Sequence, residues 1–189
     1  MSPRRFSHVI GIDDAPFTRE HRGDVLAVGA VFSSRRLVGV LSTRVRRDGV
    51  NSTTALAAMV AGSQFLPQLH AVLLQGIALA GFNVVDIHRL SESLHRPVLV
   101  VARRAPDLPS IERALLTRVR GGPAKWALIQ RAGPMEPVAG VFVQRAGLDI
   151  AEAETLVRDF TVEGNLPEPL RVAHLIAGGV TTGKSRGRA

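Results

Sequence analysis

Apolar and polar positions along the 189-residue chain follow two rhythms. Ser7–Ile12 (SHVIGI) reads as a strand, and Val25–Phe32 (VLAVGAVF) is a nearly unbroken apolar run, the pattern of a strand covered on both faces. Arg36–Arg47 (RLVGVLSTRVRR) tends to alternate, as a strand with one solvated face does. Only Ser33–Ser34–Arg35 separates the last two, which predicts a hairpin and, with the first strand, an antiparallel meander. Asp48–Gly49 then turns the chain. The rhythm becomes helical over Ser52–Phe65, with Ser52 placed to cap it. Ala71–Leu74 predicts a short central strand, Asp86–Leu94 a helix and Pro97–Ala102 another buried strand. Asp107 and Pro109 open a helix over Pro109–Val119. Gly121–Gly122–Pro123 breaks the chain, and Ala124–Gln130 and Val138–Gln144 read as strands of a second hairpin around Gly133–Pro134. Asp149 and Glu152 have capping-box spacing ahead of a helix whose apolar face is Ala153, Leu156, Val157 and Phe160. A last helix starts near Pro167–Pro169.

No internal repeat or low-complexity linker interrupts this order, so residues 1–189 are expected to form one α/β domain, with a basic flexible tail from about residue 181. Right-handed crossovers place the fourth strand beside the first and parallel to it, giving a mixed sheet of order 3-2-1-4-5 with helices on both faces. In open α/β sheets, sites form beyond the carboxyl ends of the strands near such a switch point. Asp13 and Asp14 end the first strand there, next to Gln75 after the fourth.

Composition narrows the function. Cysteine is absent, which excludes a disulfide framework, a thiolate nucleophile and a thiolate metal site. Residues Ala71–Val85, the longest apolar stretch, are too few for a membrane span and include Gln75 and Asn83, so no membrane partner is expected. No leader pattern stands at the N-terminus, and a soluble, cytoplasmic protein is expected. The formal net charge is +8, nearly all of it from arginine. Clusters at Arg35–Arg36, Arg44–Arg46–Arg47, Arg103–Arg104, Arg118–Arg120 and Arg186–Arg188 suit phosphate polyanions. GC-rich codon usage would scatter arginines in the same way, and sequence leaves both readings open.

Adjacent carboxylates at a buried strand end repel and resist desolvation, so something must offset them. Asp13 and Asp14 are either ligands of a divalent ion or, respectively, a backbone-bonded carboxylate and a turn cap. Asp86 is either a helix cap or a third acid of the site, and Asp48 before Gly49 has a turn role. The Gln75 amide either meets a ligand or satisfies buried backbone. Arg103 and Arg104 follow the fifth strand and either contact phosphate or form a solvated pair. His174 shares a helical face with Leu170 and Ala177, the pattern of a packing residue. Gly178–Ser185 (GGVTTGKS) matches the P-loop pattern, but no strand precedes it and no helix follows, so no nucleoside triphosphate is expected. Lys184, Arg186 and Arg188 would instead make the tail basic.

Four blocks, GIDDAPF (Gly11–Phe17), LLQGIALAGFNVVDI (Leu73–Ile87), PVLVVARRAPD (Pro97–Asp107) and PEPLRVAHLIAGG (Pro167–Gly179), together resemble the domain-of-unknown-function 99 family over nearly the whole chain. That family is related in fold to endonuclease V, a ribonuclease H-like nuclease. The resemblance implies such a fold, with extra C-terminal helices, and Mg²⁺- or Mn²⁺-dependent cleavage of DNA or RNA phosphodiesters. Asp13 matches the first metal-binding aspartate of endonuclease V. The second acid, followed by glycine, is replaced by Gln75–Gly76, and the third by Asn51–Ser52. Two-metal cleavage needs several carboxylates to hold ions about 3.5–4 Å apart, and Asp14, Asp48 or Asp86 would have to make up the set. The expected catalytic and metal-binding residues are thus Asp13, Asp14 and Asp86. Gln75, Arg103, Arg104, Lys184, Arg186 and Arg188 are expected on nucleic acid. The aromatic wedge of endonuclease V is not recognisable, so hypoxanthine specificity is not expected. The amides at Asn51 and Gln75 favour an alternative, an inactive relative that binds nucleic acid without cutting it. A small-ligand or scaffolding protein with an ordinary capped strand end is a third reading.

Overall fold

Strands β1 (His8–Asp14), β2 (Asp24–Ser33) and β3 (Arg36–Arg46) form the predicted antiparallel meander in the computed structural model, which describes residues 5–185. The chain then crosses through α1 (Ser52–Ala61) to β4 (Ala71–Gln75), which pairs parallel to β1. A two-stranded ribbon, β5 (Ala78–Leu79) and β6 (Asn83–Val84), precedes α2 (Ile87–Leu94), and β7 (Val98–Ala102) returns parallel to β4. Two helices, α3 (Leu108–Arg118) and α4 (Gly122–Arg131), lead to the hairpin β8 (Glu136–Val138) and β9 (Val141–Ala146), followed by α5 (Ile150–Phe160) and α6 (Glu168–Thr182).

The main sheet has seven strands in the order β3-β2-β1-β4-β7-β9-β8. The expected 3-2-1-4-5 run is its first five members, β7 being the fifth. The sequence-based order omitted the edge hairpin, in which β9 extends the sheet antiparallel to β7. A second difference lies at Ala124–Gln130, which is helical and not a strand. Gly121 enters in the left-handed region (φ 71°), Pro123 occupies the first turn, and Lys125 and Ile129 lie buried one helical turn apart. Gly122 brings this helix against α3 so closely that a Cβ there would collide with the Leu115 carbonyl.

Side chains of a strand alternate between sheet faces, and the core follows that rule. Ile10, Ile12, Val72, Leu74 and Val100 pack with Leu56 and Val60 of α1 and Leu90 of α2. Val9, Leu73, Leu99 and Val101 pack on the other face with Leu156 of α5 and Leu170 and Ala173 of α6. The capping box joining Asp149 and Glu152 starts α5 as expected. Helix α6 runs through Thr182, so the P-loop-like stretch begins as helix and ends at Gly183 in the left-handed region (φ 74°). Among the described residues, no helix is long and apolar enough to cross a membrane.

One contact sets the height of α6 above the sheet. A Cβ at Gly11 would collide with the backbone of Pro169 and Leu170. Gly11→Ala should therefore push α6 outward and cost about 1–3 kcal/mol, measured as a lower urea midpoint with unchanged slope. An unaltered midpoint would show that the helix does not depend on this contact.

Candidate functional site

The pleat of β1 sends its two terminal carboxylates to opposite faces. Asp13 follows Val9 and Gly11 toward α6, and it is only 5% exposed. Leu170 and His174 stand one turn apart on α6, so the helix that packs on Gly11 also brings an imidazole over Asp13. His174 Nδ1 donates to Asp13 Oδ2 at 2.8 Å, and the Asp14 amide donates to Asp13 Oδ1 at 2.9 Å. Asp14 faces the other side, where its Oδ2 accepts the Ala80 amide at 2.8 Å. Burial first, then the neighbouring Asp14 charge, pushes the Asp13 pKa from 3.8 up to about 7, against the lowering effect of His174. Burial also raises Asp14, while the Ala80 amide pulls it back.

Gln75 ends β4, one residue beyond the Leu74 that pairs with Ile12, as Asp13 is one residue beyond Ile12. Its Oε1 is buried and has no hydrogen-bond partner. An unsatisfied buried acceptor beside a desolvated carboxyl marks a place where a cation or a donor would be stabilised. The remaining predicted residues stand apart. Asp86 caps α2, its Oδ1 accepting the Arg89 amide at 3.1 Å, and its other oxygen pairs with Arg131. Partial burial would raise its pKa, but the Arg131 and Arg89 hydrogen bonds outweigh it and lower it. It shares no hydrogen bond with Asp13 or Asp14, so the three acids expected to act together do not assemble. Asn51 does not stand in for a missing acid either: its Oδ1 accepts from the Arg46 amide at 3.0 Å and the Asn83 side chain at 2.8 Å. Asp48 holds the adjacent ribbon, accepting the Phe82 amide at 2.8 Å.

No group of three or more histidine, cysteine, aspartate or glutamate side chains able to hold a metal occurs among the described residues. A two-metal centre does not fit this donor set. The oxygens at the two neighbouring strand ends are the Asp13 carboxylate and the orphaned Gln75 Oε1. Arg103 and Arg104 lie exposed at the carboxyl end of β7, on the same sheet margin, and Lys184 lies exposed just past α6. Arg186 and Arg188 lie outside the described residues. The residue that sequence reasoning undervalued is His174. A signal for it was present in the strand-interior Gly11, which announces a close backbone approach and so an element lying over Asp13. On the face of the sheet away from α6, at the ends of β4 and β7, an apolar cavity of about 240 Å³ is lined by Gly76, Val100, Ala102, Leu108 and Ile129, with buried Gln144 as a polar wall.

Comparison with known proteins identifies the frame around these residues. A family model described as endonuclease dU matches residues 5–181. A UPF0215 protein from Deinococcus radiodurans is 58% identical over 184 residues, 97% of this chain and 94% of that one. A protein of unknown function from Archaeoglobus fulgidus has a crystal structure that superposes with a TM-score of 0.86 at 34% identity, over 93% of this chain and 98% of that one. Endonuclease V from Ciona intestinalis, solved with a DNA containing inosine, superposes with a TM-score of 0.53 at 16% identity, over 89% of this chain and 83% of that one. The fold is therefore endonuclease V-like.

The Asp13 proton has a consequence for stability. With its folded pKa raised, the native state keeps a proton that the unfolded chain releases, so Asp13 makes stability fall as pH rises from about 4 to about 7. Asp13→Asn should remove this contribution, so that the variant gains on the wild type in urea unfolding between pH 4.5 and pH 8. Parallel stability curves would mean that Asp13 does not titrate in this window.

Proposed function

The chain belongs to the endonuclease dU family, and from that premise we propose that it is a nuclease that hydrolyses a phosphodiester bond of DNA or RNA at the Asp13–His174 pair. The observation that carries this reading is the pair itself, a buried carboxylate and a partly exposed imidazole 2.8 Å apart at the carboxyl end of parallel strands. With Nδ1 turned to Asp13, which fixes the ring, the second ring nitrogen of His174 is left to take a proton from the attacking water. Asp13 and Gln75 would hold one Mg²⁺ or Mn²⁺. Such an ion would supply charge stabilisation at the phosphoryl oxygens. Arg103, Arg104 and Lys184 would meet neighbouring phosphates. The family's name supports deoxyuridine as the lesion to test first.

One observation favours the second reading, a protein that binds nucleic acid without cutting it. Both positions that would complete a carboxylate set carry amides, and Asn51 is already committed to its own loop.

Purified protein with Mn²⁺ or Mg²⁺ and oligonucleotides containing deoxyuridine, inosine or neither separates the two readings. Cleavage of the deoxyuridine strand is expected, and Asp13→Asn or His174→Ala should each slow it about 100-fold or more. Undiminished cleavage in both variants removes the pair from the mechanism, and binding without any cleavage supports the second reading. Asp86→Ala should keep the cleavage rate within a few-fold while costing about 1 kcal/mol through the lost α2 cap.

A further inference from the structure

A second cleft opens on the far side of the turn that holds Asp14. The loop after β1 contributes Phe17 and Arg19, the β3–α1 turn Arg47 and Asp48, the ribbon tip Gly81 and Phe82, and the α3–α4 junction Arg118 and Arg120; the volume is about 470 Å³. Its wall is tied to Asp14, on the face of the sheet away from His174. Ala80 gives its amide to Asp14 and its carbonyl to the Asp48 amide, and Asp48 holds the Phe82 amide.

The arginines divide into two kinds. Arg47 is structural: its Nη1 donates to the carbonyls of Arg19 and His21 at 2.5 Å each, its guanidinium lies 5.4 Å from the Phe17 ring centre, and its Nε is 3.3 Å from Asp48. It fixes the loop that presents Phe17 and Arg19, and it neutralises the one carboxylate of the cleft. Arg19, Arg118 and Arg120 are exposed, and none of them forms an ion pair among the described residues. Three unpaired guanidiniums therefore surround a narrow space flanked by two half-buried phenylalanines. Cations that track a backbone, interleaved with aromatic faces, are what a single nucleic-acid strand requires.

We propose that this cleft, at the same end of the sheet as the Asp13–His174 pair but on its other face, grips a single-stranded segment of nucleic acid, its phosphates on Arg19, Arg118 and Arg120 and a base against Phe82. The assignment rests on the nuclease reading above and adds to it the form of the substrate, a strand already unpaired or opened as it is bound.

The test is binding of a labelled oligothymidylate and of a labelled hairpin duplex by fluorescence anisotropy, in chelator so that nothing is cut, across a salt series. The triple variant R19A/R118A/R120A should bind the single strand at least about tenfold more weakly. Its slope of log affinity against log salt should be shallower by about 2, the value for three lost contacts to a single strand. F82A should weaken binding with the salt slope unchanged. R158A, which removes a guanidinium paired with Glu154 on α5, should leave both quantities as in the wild type. Thermal melts of each variant check folding. A triple variant that binds with wild-type affinity and slope overturns this inference while the Asp13–His174 reading stands. Preference of the wild type for the duplex, lost in the triple variant, overturns the single-strand assignment. A wild type that binds neither probe at low salt removes the nuclease reading and this one together.

Discussion

The site depends on how closely α6 lies on β1. At Gly11 the helix backbone occupies the space where any other residue would carry a side chain. That approach does three things at once. It closes one face of the sheet over Val9 and Leu73, it strips water from Asp13, and it delivers His174 to hydrogen-bonding distance. The desolvation that raises Asp13 and the imidazole that partly relieves it come from the same helix, so neither can be changed without the other. A carboxylate at this position without α6 would be an ordinary exposed strand end.

The pleat answers the question posed by two adjacent aspartates. They do not share a coordination sphere, because successive strand side chains leave on opposite faces. Each has its own offset, His174 for Asp13 and the Ala80 amide for Asp14. Their mutual repulsion persists through the strand and contributes to the raised pKa of Asp13. The arrangement joins two surfaces at one strand end. Asp13 faces the helix α6, and Asp14 anchors the ribbon that walls the arginine cleft. The buried Asn83 reinforces that wall, holding the Ser52 amide at 3.0 Å and the Arg46 carbonyl at 2.8 Å.

Much of this architecture was legible in the residues. The apolar runs of β1, β2, β4 and β7, the alternation of β3 and the capping box of α5 each have a local physical cause, and each lies where pattern puts it. The sheet order through β7 followed from crossover handedness. Ala124–Gln130 misled because seven residues of mixed character suit either rhythm; packing of Gly122 against Leu115, a contact invisible in sequence, decides for the helix. The candidate site was half legible. Asp13 could be placed from the strand end alone, and Asp86 could be recognised as a cap from its position before α2. His174 could not be assigned, since a histidine on an apolar helical face has no partner until the tertiary fold supplies one 161 positions away. The arginine cleft draws on four separate loops, and no spacing rule connects them.

The same separation has a consequence for biosynthesis. Residue 13 leaves the ribosome 161 positions before residue 174, while the meander and the parallel strands between them can already pack as they emerge. Until α6 docks, the carboxylate at the end of β1 is hydrated and acidic in the ordinary range, without its imidazole. A nascent chain of this protein therefore carries most of its central sheet before it carries the Asp13–His174 contact.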